Sequence, residues 1–152
     1  MKRILLLSVM VLVSCSKTNQ EPTIEKEEEP DYSSLSLPVI AWKDIFNVEE
    51  NNYLIYFYSE ECGYCNMIKD EVLSYFQITT RKMYFVDVAN DEEVVVKHTY
   101  DSIQGVKCID DLFIRGTPSM LEIEEKAVIN YYVGVQTIRA FISNVEDYNF
   151  SY

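Results

Sequence analysis

The sequence predicts an α/β fold with a mixed central sheet, in which a βαβ unit is followed by a ββα unit and helices cover the faces of the sheet. The continuous apolar and aromatic run Tyr53–Tyr58 is short enough to be a strand buried on both faces, and Met83–Val88 is predicted to be a second buried strand. Between them, four apolar residues follow helical spacing and define one buried helix face: Cys65, Ile68, Val72 and Phe76. After the second run, a hairpin pattern and a last amphipathic pattern complete the order.

The N-terminal residues have the layout of a signal peptide over residues 1–14. Lys2 and Arg3 precede the apolar run Ile4–Val13, which is shorter than the roughly 20 residues that a membrane-spanning helix needs. The run ends in Leu12-Val13-Ser14-Cys15, which resembles the bacterial lipobox. That resemblance implies cleavage before Cys15 and a lipid on Cys15, while an ordinary secretory signal cut nearby is the alternative.

Residues 15–37 are predicted to form an acidic, disordered linker that begins with the lipidated cysteine. The stretch holds prolines and the acidic run Glu25–Glu29, and few large apolar groups come before Leu35. Such a segment buries too little apolar surface to offset the entropy lost on ordering. We expect it to hold a folded domain, residues 38–152, away from a bacterial membrane and outside the cytoplasm, where disulfides persist.

The N-terminal half of the domain contains three further predicted elements. Val39–Phe46 is predicted to open the domain with a short helix. Asp91–Tyr100 is predicted to be helical because it begins with acidic residues, which suit a helix N-terminus. Asp101–Asp111 is then expected to form an extra helix or a loop.

The C-terminal part of the domain predicts a hairpin and a helix. Met120–Ile123 and Ala127–Val133 flank the polar triplet Glu124-Glu125-Lys126 and are predicted to pair as antiparallel strands. A last helix is predicted to begin near Gln136 or Thr137. Its apolar face is expected to contain four residues: Ile138, Phe141, Ile142 and Val145.

The composition of the chain narrows the classes of partner. The 152 residues, 48% of them hydrophobic, are enough for one domain with its own core and additional segments. The formal net charge of −12 argues against non-specific nucleic-acid binding, because Lys and Arg must neutralise the phosphates. We therefore expect no nucleic-acid partner.

The sequence Cys62-Gly63-Tyr64-Cys65 lies between a predicted strand and a predicted amphipathic helix, where a Cys-x-x-Cys motif indicates thiol redox chemistry. Cys62 falls at the helix N-terminus, where unpaired amides and the helix dipole stabilise a thiolate. Cys65 follows one turn later, on the buried side, close enough to resolve a mixed disulfide. Gly63 allows close approach of a substrate, and Tyr64 places a ring beside the exposed sulfur.

Other interpretations of the two cysteines are a metal site and a structural disulfide. A structural zinc site needs two further ligands, for which the chain offers only His98 and Cys108, so we expect no metal. Cys108 itself is expected to be a small buried hydrophobic residue, with a partner disulfide or a regulatory thiol as alternatives. His98 is expected to lie at the surface or in satisfied packing.

The motif together with Gly116-Thr117-Pro118 resembles the thioredoxin-fold disulfide oxidoreductases, over roughly residues 53–145. The tetrapeptide is most similar to that of the bacterial periplasmic disulfide isomerases. The resemblance implies that Cys62 is the nucleophile and Cys65 the resolving thiol. It also implies that Thr117 precedes a cis-proline, Pro118, in a loop that faces the cysteines, so that Gly63, Tyr64, Thr117 and Pro118 would contact the substrate.

The chain also departs from that family. The isomerases carry a separate N-terminal dimerisation domain, where this sequence has a predicted linker. Many thioredoxins place a tryptophan before the first cysteine and a buried acid earlier on the strand, where this chain has Glu61 and Tyr56. Glu60 and Glu61 are expected to oppose the thiolate and to raise the pKa of Cys62.

The function that these observations predict is a thiol–disulfide oxidoreductase of the cell envelope, acting as a reductase or electron carrier. It would exchange disulfides with protein or thiol substrates, be recycled by a redox partner, and attach to a membrane through its lipid. No metal, flavin or nucleotide cofactor is implied. The alternative is a non-catalytic lipoprotein binding module, in which the Cys62–Cys65 disulfide only closes the start of a helix.

Overall fold

A computed structural model describes Tyr32 and residues 35–149, with side chains described as far as residue 144. The predicted signal peptide, Cys15 and most of the predicted linker lie outside the described residues, as does the side chain of Val145. No helix within the described residues is long and apolar enough to cross a membrane.

The central sheet has four strands in the order β2-β1-β3-β4. β1 (Asn52–Tyr58) pairs in parallel with β2 (Lys82–Asp87) and antiparallel with β3 (Ser119–Glu124). β4 (Ala127–Val133) pairs antiparallel with β3, and Glu125 and Lys126 form the hairpin turn with φ values of 47° and 61°. Two successive positive φ values are typical of a type I′ turn, which matches the twist of a hairpin. The predicted mixed sheet and hairpin are confirmed.

Helices surround the redox motif and close the chain. A 3₁₀ helix, Trp42–Asp44, opens the domain as predicted, and a second one covers Ile109–Asp111 within the stretch predicted as helix or loop. The helix expected after β1 is divided into α1 (Gly63–Asn66) and α2 (Lys69–Ile78). The division falls at Ile68, whose φ of −121° and ψ of 1° are not helical. α3 (Val135–Asn149) begins one residue before the predicted start.

The two faces of the sheet carry separate apolar clusters, which we call the helix face and the loop face. The helix face comprises Leu54, Tyr56 and Tyr58 of β1 together with residues of the flanking helices, which include Cys65, Ile68, Val72 and Ile138. The loop face comprises Tyr53, Ile55 and Phe57 of β1 together with Trp42, Ile45, Ile103, Leu112, Phe113 and Ile114. Alternate residues of β1 serve opposite faces, as the pleat of a strand requires, so the strand is buried on both sides as predicted.

The prediction that Asp91–Tyr100 is helical is wrong. The stretch is extended: Ile114 donates its N–H to the Val95 carbonyl at 2.9 Å, and Lys97 donates to the Ile114 carbonyl at 2.9 Å. The Asp91 carboxylate, expected to favour a helix start, accepts the Trp42 N–H at 2.6 Å and the Glu93 N–H at 3.1 Å instead. Three consecutive valines, 94–96, favour extended backbone over helix because their branched side chains restrict χ1.

Packing begins earlier than the domain boundary predicted at residue 38. Tyr32 is 4% exposed and stacks on Tyr58 with 4.2 Å between the ring centroids. Leu35 and Leu37 pack against the helix face. The Pro38 carbonyl then accepts the N–H of Phe85 at 3.1 Å, and Ile40 donates to the Phe85 carbonyl at 2.9 Å, so the chain runs along the outer edge of β2.

Candidate active site

The first cysteine of the motif is held by a turn that joins β1 to α1. Cys62 donates its N–H to the Ser59 carbonyl at 3.1 Å, which closes the turn. Asn66 donates from its amide nitrogen to the Glu60 carbonyl at 3.2 Å, which ties the turn to the end of α1. Cys62 is the N-cap residue of α1, with extended φ and ψ values of −80° and 110°. The strand therefore delivers its thiol to a helix start, as the sequence predicts.

The Cys62 sulfur contacts both the second cysteine and the loop before β3. It accepts the Cys65 N–H at 3.3 Å, the contact that an N-cap side chain makes. The thiol also donates to the Thr117 carbonyl at 3.4 Å, and the Thr117–Pro118 peptide bond is cis. Residues 55 positions apart in the chain thus meet at one sulfur, and the predicted opposition of the cysteine pair and the cis-proline loop is observed.

The environment of Cys62 favours its thiolate. Partial burial opposes ionisation, but hydrogen bonds from the Cys65 thiol, from the Thr117 side chain and from the amides of Cys65 and Tyr64 outweigh it, and the pKa of Cys62 is lowered. These contacts set the net direction of the shift, and the opposing effect expected of Glu60 and Glu61 stays a prediction.

Cys65 has the opposite environment. Its side chain is fully buried in the helix face, and both cysteines are free thiols. Burial, followed by the hydrogen bond with the Cys62 thiol, raises the pKa of Cys65 to about 12. At neutral pH the proton therefore stays on Cys65, and Cys62 is the sulfur that is both accessible and more easily ionised. This asymmetry matches the predicted roles of nucleophile and resolving thiol.

An open groove of about 380 Å³ lies beside the nucleophile. One wall consists of Tyr64 and Met67, which are 67% and 64% exposed. The rest comes from Thr117, Pro118 and the junction of β4 with α3, residues 133–136. Gly134 at this junction has a φ of 81° and donates its N–H to the Pro118 carbonyl at 2.9 Å.

Three of the four residues predicted to contact substrate line this groove: Tyr64, Thr117 and Pro118. Gly63 is exposed in the first turn of α1 but is not among the lining residues. Met67 and residues 133–136 were not predicted. Met67 lies one turn after Tyr64, so helical spacing could have found it, whereas nothing local connects residues 133–136 to the cysteines.

Two buried tyrosines, Tyr32 and Tyr56, lie near the cysteine pair. Tyr56 is fully buried, and its hydroxyl lies 3.5 Å from the hydroxyl of Tyr32. Burial raises the pKa of both side chains, so both remain neutral across the physiological range. The buried polar group nearest in sequence to the motif is thus a phenol.

The third cysteine of the described chain differs from its prediction. Cys108 is exposed rather than buried, and its thiol donates to the Asp111 carboxylate at 3.1 Å. That hydrogen bond raises the pKa of Cys108. His98 is exposed, as one of its two predicted environments requires. Within residues 35–149 and Tyr32, no three His, Cys, Asp or Glu side chains lie close enough together to hold a metal ion.

Comparison with known proteins gives one family and one fold. Residues 43–149 match the family model described as a thioredoxin-like domain. No curated protein matches the chain significantly. Among solved structures, oxidized mitochondrial thioredoxin 3 from Saccharomyces cerevisiae is 14% identical, with a TM-score of 0.53, and the match covers 74% of this chain and 95% of that one.

Two further thioredoxins have the same fold. Fasciola hepatica thioredoxin is 17% identical with a TM-score of 0.51, and the match covers 71% of this chain and 98% of that one. A mutant thioredoxin from Halobacterium salinarum is 18% identical with a TM-score of 0.50, covering 75% and 95%. The fold and the Cys62–Cys65 pair together support thiol–disulfide exchange in general. The chain belongs to the thioredoxin-like family.

Proposed function

We propose that this chain is a thiol–disulfide oxidoreductase of the cell envelope that works as a reductase or electron carrier. The observation that carries the proposal is the asymmetry of the pair. Cys62 is accessible, has a lowered pKa and lies 3.4 Å from the Thr117 carbonyl, whereas Cys65 is buried and holds its proton. A purely structural disulfide has no need for such a difference.

The reaction follows from the two environments. The Cys62 thiolate attacks a substrate disulfide, RS–SR, forms the Cys62–SR mixed disulfide, and releases one RS⁻. Cys65 then loses its proton and attacks the Cys62 sulfur, which forms the Cys62–Cys65 disulfide and releases the second RS⁻. Two electrons pass to the substrate, the two thiol protons leave with two RSH, and a thiol-bearing redox partner restores the pair. Tyr64, Thr117 and Pro118 position the substrate next to Cys62.

The proposed direction depends on what precedes the domain. The Cys-Gly-Tyr-Cys sequence favours a relative of the periplasmic disulfide isomerases. Residues 15–31 are acidic and carry few large apolar groups, as a spacer does, and we propose a reductase or carrier. The proposed location rests on the segment Leu12-Val13-Ser14-Cys15. Its resemblance to a lipobox supports lipid attachment to a bacterial membrane and a domain outside the cytoplasm.

The test is the redox equilibrium of the pair in glutathione buffers, read by alkylation and mass. The Cys15→Ser/Cys108→Ser variant leaves Cys62 and Cys65 as the only thiols. We expect a midpoint between about −200 and −270 mV, the range of glutaredoxins and thioredoxin. A midpoint near about −120 mV would make the protein an oxidant and overturn the proposed direction. A pair that stays oxidised across the series, with neither thiol reactive, would support the binding module with a structural disulfide.

A further inference from the structure

The turn that holds Cys62 presents two carboxylates next to the nucleophile. Ser59 and Cys62 are the first and last residues of this turn, and Glu60 and Glu61 occupy its two corners. The backbone of both glutamates is fixed, since the Glu60 carbonyl accepts from Asn66 at 3.2 Å and Glu61 donates its N–H to the Ser59 hydroxyl at 3.3 Å. Their side chains are exposed, so the charges face solvent at the rim of the site.

These carboxylates are not neutralised locally. Within the part of the chain that the structure describes, neither side chain has a hydrogen-bond or ion-pair partner, in contrast to Glu71 and Glu122, which pair with Arg139 and Arg81. The groove beside Cys62 has no charged lining residue. A substrate disulfide at Cys62 therefore has an uncharged groove beside it and two exposed carboxylates on the two residues that precede Cys62.

We propose that this redox site selects disulfides with a positive charge close to the sulfur atoms, because Glu60 and Glu61 attract them and repel anionic disulfides. This inference rests on the proposed function and names its substrate class: cationic thiol compounds and basic protein segments. Successive Cα atoms are about 3.8 Å apart, so both glutamates lie within about 8 Å of the Cys62 backbone. A unit charge on a substrate about 8 Å from one of these carboxylates in water would change the encounter rate by about two- to threefold.

The experiment compares three small disulfides that undergo the same exchange. The dithiol form of the full chain is mixed with an excess of cystamine (cationic), hydroxyethyl disulfide (neutral) or dithiodiglycolate (anionic). Loss of free Cys62 thiol is followed by rapid alkylation and mass, so a single turnover is measured and no recycling reductant is needed. Each rate is divided by the rate of the same disulfide with a neutral free thiol, which removes its intrinsic reactivity.

We expect the normalised rate for cystamine to exceed that for dithiodiglycolate on the order of tenfold at low salt. The ratio should fall toward one as sodium chloride is raised to about 0.5 M, because screening shortens the reach of surface charge. The Glu60→Gln/Glu61→Gln variant should abolish most of the preference. Because each variant is compared across all three disulfides, a change in the pKa of Cys62 cancels from the ratio.

The matched control is Glu124→Gln/Glu125→Gln. It removes the same two charges, but from the hairpin turn at the other end of β3 from Pro118. If both double variants reduce the preference equally, the selectivity belongs to the net charge and the inference is wrong. If the parent protein reacts with all three disulfides at equal normalised rates, the inference fails while the proposed function stands. If none of the three disulfides reacts, the proposed function itself fails.

Discussion

The two faces of the central sheet are buried to the same extent but covered in different ways. On the helix face, α2 and α3 pack over Tyr56 and Leu54. On the loop face, a 3₁₀ helix and extended chain pack over Phe57 and Ile55. Tyr56 and Phe57 are consecutive in β1 and both are fully buried. Regular secondary structure is therefore not what excludes water from this core.

The difference between the faces concerns chemistry rather than burial. On the helix face, the start of α1 places Cys62 where amides stabilise a thiolate, and Cys65 lies behind it in the core. In the segment that covers the loop face, Cys108 is exposed and bonded to a carboxylate. A helix N-terminus orients several N–H donors toward one sulfur. A thiol in an irregular segment has no such set of donors and hydrogen-bonds to a nearby side chain, here Asp111.

The strongest test of the comparison removes the cysteines one at a time. We expect Cys62→Ala to lower disulfide reduction by at least about 1,000-fold, because the nucleophile is lost. Cys65→Ala should still attack but accumulate the mixed disulfide, visible as a mass increase on non-reducing analysis. Cys108→Ala is the matched control and should leave the rate unchanged. Full activity of Cys62→Ala would place the chemistry elsewhere.

A second test asks whether the loop face is as important to stability as the helix face. Leu73 of α2 and Ile114 of the extended segment are both almost completely buried. We expect Leu73→Ala and Ile114→Ala each to lower the free energy of unfolding by about 2–5 kcal/mol, measured by urea denaturation. A cost below about 1 kcal/mol for Ile114→Ala alone would mean that the loop face is loosely packed.

A third test concerns the residue that joins the helix face from outside the predicted domain. Tyr32 is buried and stacked on Tyr58, so Tyr32→Ala should lower the free energy of unfolding by about 2–4 kcal/mol. Tyr32→Phe keeps the ring and loses the hydroxyl contact with Tyr56, and should cost about 1 kcal/mol or less. Equal effects of the two variants would contradict a role for ring packing.

The smallest expected effect distinguishes the two accessible thiols by pH. Alkylation requires the thiolate, so its rate falls about tenfold per pH unit below the pKa and levels off above it. The lowered pKa of Cys62 places its plateau below that of an ordinary thiol, and the raised pKa of Cys108 places its plateau above. In iodoacetamide labelling read by peptide mass, Cys62 should therefore lose its reactivity at a lower pH than Cys108 as the pH is reduced. Parallel profiles would refute the helix-start argument.

The sequence predicts the helix face well because its signals are local. A six-residue apolar run, helical spacing after it, and a Cys-x-x-Cys at their junction all lie within 25 residues, Tyr53 to Phe76. The hairpin strands are equally local. The cis-proline loop was assigned through a resemblance, since nothing in residues 116–118 alone indicates that Thr117 reaches Cys62.

The loop face could not be predicted because its determinants are distant in the chain. Asp91 has the sequence pattern of a helix start, but its carboxylate accepts the N–H of Trp42, which lies 49 residues earlier in the chain. Tyr32 looks like part of a linker until Tyr58 is found beneath its ring. The far wall of the groove, residues 133–136, meets Tyr64 only because β3 and β4 return the chain to the cysteines.

The packing of Tyr32 also limits the length of the tether between the proposed lipid anchor and the folded domain. If Cys15 carries the lipid, as proposed, the covalent chain from the anchor to the packed Tyr32 is 17 residues (32 minus 15) rather than the 23 that a start at residue 38 would leave. At about 3.5 Å per residue, 17 residues reach no more than about 60 Å. Tyr32 and Cys65 belong to the same cluster, so Tyr32 lies near the redox pair. The redox site could then act only within roughly two domain diameters of the bilayer surface. A substrate disulfide farther from the membrane would have to approach the protein.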